Sequence, residues 1–314
     1  MQSAASSRPE RTRRHQAAIR RDRDVSVAVL YRTNAQSRTI EDALRRAAVA
    51  YRIIGGVRFY ERKEVKDALS YLRLVLNPQD DVSLRRIINV PARGIGKGVM
   101  DSLAASLPDE ADTNTPLLMS AGLVPEAQSL WARIVSAVER RSLAPRATAA
   151  LSAFRTMMDG LRGATVGASV ATTLGLVLDK SGYLEDLRGE RSEEAQTRIE
   201  NLAELVSAAR EFEARSSEPT LAGFVDQLSL LADVDEEAGT RDANVLMMTL
   251  HSAKGLEFPV VVLAGLEEGL FPHSRSAEDE AELEEERRLC YVGITRARER
   301  LMLSYALHRR IQGY

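Results

Sequence analysis

The sequence is poor in cysteine and has no long apolar runs. Cys290 is the one cysteine among 314 residues, so intrachain disulfides are excluded. No apolar run reaches the roughly 18 to 20 residues that a membrane helix requires, and the arginine-rich start lacks the apolar core of a signal peptide. The sequence therefore predicts a cytoplasmic protein with no membrane partner. Zinc-ligand spacing is also missing among the four histidines, so no metal site is expected: His15, His251, His273, His308.

A strong excess of either charge is absent too. The formal net charge is -2 at pH 7, so contact with nucleic acid would need local basic patches. Residues 1–24 carry seven arginines against three acidic residues, and we interpret them as a solvated arm rather than a nucleic-acid clamp. The hydrophobic content of 44% is sufficient for two folded cores.

Short, apolar runs near both ends of the chain predict buried parallel strands. Helical spacing follows the first of these runs at residues 39–50 and precedes the last around residues 282–295. Alternating strands and helices predict one α/β domain with a parallel sheet, formed by residues 25–54 and 242–314. The predicted strands are residues 25–31, 244–250, 259–264 and 300–305.

The middle of the chain has helical periodicity and almost no strand signal. Residues 55–241 are therefore predicted to form a helical domain inserted into the α/β domain. The pair Gly55 and Gly56 and the acidic stretch 233–239 are the predicted exit and return points. The predicted helices are residues 67–76, 126–141, 146–161, 170–178, 195–212 and 221–233.

The segment TLHSAKGLEF, residues 249–258, lies between two predicted strands. Loops after the carboxyl ends of parallel strands are where ligands bind. This loop is rich in donors, among them His251 and Lys254, and Gly255 allows close backbone approach. The whole segment indicates an anion site, although His251 alone would fit an ordinary loop with a satisfied histidine.

A second polar segment, EEERRLCYVGITRAR, covers residues 284–298. An exposed helix that buries Leu289 explains part of the pattern. Gly293 and Thr295 near its end predict a special backbone there. Such a backbone would present Arg296 as a fixed guanidinium able to bind two phosphate oxygens.

These two segments, together with YRTNAQSR at residues 31–38 and GGVRFYERKEVKDALSYLRL at residues 55–74, resemble the UvrD/Rep/PcrA family of superfamily-one DNA helicases. The resemblance covers nearly all of residues 25–314. It implies the second RecA-like motor lobe of an ATP-dependent 3′-5′ helicase, with an inserted, mobile accessory domain.

The resemblance also implies roles for single residues. At the nucleotide, Glu257 holds the sugar next to Gly255, and Arg296 is the arginine finger that reaches the γ-phosphate. The implied ligands are ATP with Mg²⁺, and the implied DNA partners are single strands and single-strand/duplex junctions. The residues implied to contact the single strand are Thr249, His251, Arg32 and Asn34.

The segment PARGIGKG, residues 91–98, resembles a helix-hairpin-helix turn of the accessory domain. In such a turn Gly94 and Gly96 let backbone amides approach duplex phosphates, next to Lys97. A plain glycine turn between two helices is an equally open interpretation.

A complete motor of this class also needs GxxxxGK[ST] and an acidic strand end for Mg²⁺, and the sequence contains neither. The string DEAD at residues 109–112 follows a proline and is interpreted as coincidence. We therefore expect part of a helicase that binds ATP and Mg²⁺ only with a missing first motor lobe. The alternative is a truncated, stand-alone DNA-binding or partner-binding module, and a neighbouring reading frame with a phosphate loop would favour the helicase.

Overall fold

A computed structural model describes residues 26–105, 129–237, 243–277 and 279–307. The chain divides into two compact units, which are described separately here. Among the described residues, unit 1 comprises those from 26 to 62 and from 231 to 307, and unit 2 comprises those from 63 to 230. None of the helices within the described ranges has the length and apolar character that crossing a membrane requires.

Unit 1 is built on a five-stranded parallel sheet with the strand order β2-β3-β1-β4-β5. β-branched and other apolar residues fill the three central strands, as expected for strands covered on both faces. The strands are β1 (Val27–Tyr31), β2 (Tyr51–Ile53), β3 (Val245–Thr249), β4 (Phe258–Leu263) and β5 (Ala297–Leu303).

Helices α1 (Ser37–Arg46) and α11 (Glu280–Thr295) pack on the sheet of unit 1. Successive strand residues point to opposite faces, so β1 contributes Ala28 and Leu30 to one core and Tyr31 to the other. Leu289 of α11 belongs to the first core, and Leu44 of α1 packs against the second. Unit 1 is therefore a layered α/β fold, and the expected fold class is confirmed.

Helices are the only regular secondary structure among the described residues of unit 2. Its helices are α2 (Lys63–Leu76), α3 (Asp81–Ile87), α4 (Lys97–Ala105), α5 (Leu130–Arg140), α6 (Pro145–Thr165), α7 (Val170–Lys180), α8 (Tyr183–Glu190), α9 (Glu193–Arg215) and α10 (Leu221–Glu237), the last of which continues into unit 1. Buried carboxylates connect the helices: Glu64 of α2 accepts a 2.6 Å hydrogen bond from Asn201 of α9, and Asp67 accepts one from Tyr183 of α8 at 3.0 Å.

Several helices and one strand were missing from the sequence prediction. β2 was not predicted because three residues carry no measurable alternation, and α3 and α8 are too short to show a clear helical period. Helix α10 continues into the acidic stretch expected as the return point, as far as Glu237, and unit 1 extends past Gly55 to Arg62. Residues 1–25 and the DEAD string at 109–112 lie outside the described residues.

Candidate functional site

The residues singled out in unit 1 lie at two opposite edges of the sheet. Because the strands are parallel, Tyr31 and Thr249 end their strands side by side, and we call this the carboxyl edge. Phe258 and Ala297 begin β4 and β5 side by side at the amino edge. A strand of five residues separates the two edges by roughly 15 Å. The segment 250–257 leads from the carboxyl edge to the amino edge.

At the carboxyl edge, Arg32 forms a partly buried ion pair with Glu286 of α11. Its Nε and Nη2 atoms lie 2.8 and 2.7 Å from the same oxygen, Oε1. The Glu286 side chain is 4% exposed, and its Oε2 atom accepts a 3.3 Å hydrogen bond from the backbone N–H of His273. Arg32 and α11 are therefore tied together although they are 254 positions apart in the chain.

The turn after β3 carries Thr249 and His251. The Thr249 hydroxyl lies 3.0 Å from the Ser252 hydroxyl, and it accepts a 3.3 Å bond from the Ser252 N–H. Partial burial lowers the pKa of His251, and the charges of Arg32 and Lys254 lower it further. Glu286 and Glu285 raise this pKa, but by less, so the net charge acting on His251 is positive and this edge is suited to an anion.

Asn34 starts a short 3-10 helix after β1, and its backbone is held by two other residues. Arg62 donates a 2.9 Å hydrogen bond to the Asn34 carbonyl and a 2.7 Å bond to the Ser37 hydroxyl. Gln36 accepts 2.8 Å bonds from the N–H groups of Arg32 and Thr33. The Asn34 carboxamide has no partner among the described residues, so it is available to a ligand.

At the amino edge, Glu257 and Arg296 lie close to solvent and close together in the fold. Glu257 accepts a 2.9 Å hydrogen bond from Arg298, and both side chains are at least half exposed. Arg296 donates to the carbonyls of Val292 and Leu256, each at 3.0 Å. The guanidinium is therefore folded back onto the end of α11 in this structure.

The special backbone expected around Gly293 is not found. Helix α11 continues through Thr295, and Gly293 has ordinary helical geometry. A Cβ atom at Gly293 would lie 2.6 Å from Leu250 and 3.1 Å from Leu263, so the glycine allows close packing of the helix on the sheet. The expectation was wrong because a glycine needed for packing has the same sequence signature as one needed for a turn.

In unit 2, the segment 91–98 forms a turn that leads into α4. Gly94 adopts a positive φ of 74°, and Gly96 and Lys97 are exposed. No heavy atom lies within 4 Å of a Cβ placed at Gly94 or Gly96, so the glycine backbone is open to approach. Arg93, in contrast, donates to the carbonyls of Val90 and Ser181 at 2.9 and 2.7 Å.

Sequence reasoning did not identify Glu286, Gln36 or Arg62. Glu286 stands among three consecutive glutamates, and only tertiary packing distinguishes it from its exposed neighbours. The side chains of Gln36 and Arg62 act on backbone atoms of the loop after β1. A faint signal existed, since both belong to the segments that carried the family resemblance.

Unit 1, a parallel five-stranded sheet with helices on its faces and polar loops at its edges, has the architecture of a RecA-like α/β domain. The family is shown by sequence comparison. The model of the UvrD-like helicase C-terminal domain matches residues 13–308, and the chain belongs to this family.

Among its relatives, the chain is 46% identical over 293 residues to the ATP-dependent DNA helicase PcrA of Bacillus subtilis. It is 46% identical over 288 residues to DNA helicase II of Haemophilus influenzae and 42% identical over 289 residues to DNA helicase II of Escherichia coli. These matches cover 90 to 91% of the chain but 37 to 38% of the relatives. The chain thus spans little more than a third of the length of the curated relatives it matches.

Proposed function

We propose that the chain is the C-terminal part of an ATP-dependent 3′-5′ DNA helicase, in which unit 1 serves as the second motor lobe. The observation that carries this proposal is the separation of two polar edges on one rigid sheet, joined by the segment 250–257 and by α11. A motor lobe needs this arrangement, because ATP at one place must change the grip on DNA at another. The strand polarity rests on the family relationship.

The amino edge is proposed to bind ATP. The Glu257 carboxylate is a suitable acceptor for sugar hydroxyls, and Gly255, with a φ of 83°, leaves the backbone open beside it. Arg296 would leave the carbonyls of Val292 and Leu256 and bind the γ-phosphate, where charge develops during hydrolysis.

Mg²⁺ is proposed to be held elsewhere, on the first motor lobe. Among the described residues, no group of three metal-ligating side chains is found. A phosphate-loop lobe supplies such ligands together with most of the phosphate contacts. We therefore propose that this first lobe is the protein partner of the chain, and that the ATP site forms between the two.

The carboxyl edge is proposed to bind single-stranded DNA through phosphate contacts. Arg32 and Lys254 provide positive charge there, and neutral His251 can donate one N–H. Thr249 and the Asn34 carboxamide provide further polar groups beside them. Such contacts position a strand without reading its sequence, as a translocating motor requires.

The accessory domain is proposed to comprise residues 55–241, of which unit 2, residues 63–230, is the compact helical part. The open backbone at Gly94 and Gly96 and the exposed Lys97 at the start of α4 suit a duplex phosphate. A single-strand/duplex junction is therefore the proposed DNA partner of the whole protein.

A direct test is to purify the chain and measure binding to fluorescent single-stranded DNA by anisotropy over a salt series, alongside phosphate release from ATP. We expect weak binding, roughly 0.1 mM to 1 µM, that falls steeply with salt, because phosphate contacts release counterions. Hydrolysis is expected only after a phosphate-loop lobe, such as that of a PcrA relative, is added.

The variant His251→Ala sharpens this test. It should weaken strand binding while leaving DNA-free hydrolysis of the two-lobe assembly nearly intact, because His251 lies at the edge away from Glu257 and Arg296. Salt-independent binding by the parent chain would contradict the helicase assignment and support a partner-binding module.

A further inference from the structure

We propose that Glu286 is a positioning residue for strand binding, whose carboxylate holds the Arg32 guanidinium so that its Nη1 group is presented to a DNA phosphate. The proposal rests on the proposed function of the carboxyl edge and names a residue that acts there through another. Glu286 itself is buried and has no direct access to a strand.

The pattern of hydrogen bonds shows which part of the guanidinium is held. Nε and Nη2 of Arg32 both lie on Oε1 of Glu286, at 2.8 and 2.7 Å. A guanidinium is planar with five N–H donors, so fixing one of its sides fixes the direction of the others. Nη1 has no partner among the described residues, and the Arg32 side chain is 21% exposed. The held guanidinium therefore keeps free donors at an accessible position.

The carboxylate that holds Arg32 is itself rigidly placed. Its second oxygen accepts the N–H of His273, and Glu286 lies on α11, whose Leu289 is in the core of the sheet. A mobile arginine would lose side-chain entropy on binding a phosphate, whereas Arg32 is ordered before the strand arrives. Fixing Arg32 in advance therefore favours binding.

The charge of Glu286 has the opposite effect, because it partly cancels the attraction of Arg32 for a phosphate. The surroundings decide in favour of positioning. The charges of Arg32 and Lys254 lower the pKa of His251 more than those of Glu286 and Glu285 raise it, so the surroundings of His251 stay positive with both carboxylates present. A cationic edge gains more from a well-directed donor than from one further diffuse charge.

Helix α11 extends the consequence to the other edge. Ten residues separate Glu286 from Arg296, a distance of about 15 Å along the helix axis. The same rigid helix thus holds the strand-contacting arginine near its middle and carries the nucleotide-contacting arginine at its carboxyl end.

The test compares Arg32→Ala, Glu286→Ala and the double variant in the 314-residue chain, by anisotropy with oligothymidylate over a salt series. Glu284→Ala is the matched control, since it removes the same charge from the same helix at a partly exposed position that pairs with Arg287. We expect Arg32→Ala and Glu286→Ala each to weaken binding and to flatten the log-log salt slope by about 0.7, the value for one lost single-strand phosphate contact. The double variant should match Arg32→Ala alone, and Glu284→Ala should bind at least as tightly as the parent.

Thermal unfolding followed by circular dichroism identifies variants that fail to fold. In that event Glu286→Gln replaces Glu286→Ala, because its amide oxygen retains one weaker acceptor, and its salt slope should lie between those of the parent and Arg32→Ala.

Tighter binding or a steeper slope for Glu286→Ala would overturn the proposal, since Glu286 would then only neutralise charge. The proposal would also be overturned if the double variant bound more weakly than Arg32→Ala by the whole loss that Glu286→Ala causes alone, because the two residues would then act independently. If Arg32→Ala itself binds like the parent, the strand-contact role of Arg32 fails, and the positioning role fails with it.

Discussion

Two segments of this chain combine glycine and arginine in ways that suggest phosphate binding, and they use the two residue types in opposite ways. At the end of α11, Gly293 packs tightly against Leu250 and Leu263, while Arg296 donates to the Leu256 carbonyl at an exposed contact. In the turn 91–98 of unit 2, Gly94 and Gly96 are open, while Arg93 is bound to backbone carbonyls.

The difference shows that composition alone does not tell which residue is available to a ligand. Arg93 is a structural crosslink because its donors reach three different segments at part-buried contacts, whereas the bond from Arg296 to the Leu256 carbonyl lies at an exposed position. A glycine facing a core side chain is a packing residue. The same residues become binding groups only where neighbouring atoms leave them open. Four substitutions, two in each segment, test this division.

Arg296→Ala should have the largest effect on activity. In an assembly of the chain with a phosphate-loop lobe, ATP hydrolysis should fall about a thousandfold or more, because an arginine finger acts on charge that develops in the transition state. Arg300→Ala on the exposed edge strand β5 is the control, and its rate should match that of the parent. A rate for Arg296→Ala within a few-fold of the parent would exclude a finger role.

Arg93→Ala should have the largest effect on stability. Removing the guanidinium leaves the Ser181 carbonyl and the Tyr71 hydroxyl without the donor that Arg93 provides, and it leaves the Val90 carbonyl with the Tyr71 hydroxyl but without Arg93. These losses should cost about 3 kcal/mol. Urea unfolding followed by the fluorescence of Trp131, the one tryptophan of the chain, reports on unit 2. The exposed Lys97→Ala should change the free energy of unfolding by less than about 0.5 kcal/mol, and an equal loss in both variants would contradict the crosslink.

Gly293→Ala should destabilise unit 1 by about 1 to 3 kcal/mol, because the new methyl group would overlap two buried leucines. Hydrogen exchange of the α11 amides, measured by mass spectrometry, would detect the loss. Gly175→Ala in α7 is the matched helical control, since no heavy atom lies within 4 Å of its Cβ position. That control should stabilise unit 2 by about 0.5 to 1 kcal/mol, and similar effects at both sites would show that Gly293 is not a packing residue.

Gly96→Ala should have the smallest effect. Its methyl group meets no protein atom, so stability should change by less than about 0.5 kcal/mol. Duplex binding should weaken by a few-fold, about 0.5 to 1 kcal/mol, because the methyl group keeps a phosphate away from the backbone. Lys97→Ala should in parallel flatten the duplex salt slope by about 0.9. Unchanged duplex binding in both variants would favour the plain glycine turn.

The sequence by itself determined the α/β class, the four longer strands of the sheet and most of the helices of unit 2. These features follow from hydrophobic periodicity, which is a property of residues close together in the sequence and does not depend on distant ones. It also identified the segments 249–258 and 284–298, because their density of donors and their resemblance to a helicase family are both local properties of the chain.

Only the tertiary structure decided which groups in these segments are already engaged. Periodicity could not show that Glu286 is buried against Arg32, because the two residues lie 254 positions apart and Glu286 resembles the glutamates beside it. Nor could it show that His251 and Glu257, six positions apart, lie at opposite edges of the sheet, since that depends on the parallel pairing of β3 and β4 with β1. Hydrogen-bond partners and packing neighbours are set by the three-dimensional arrangement, and the availability of a side chain to a ligand is set with them.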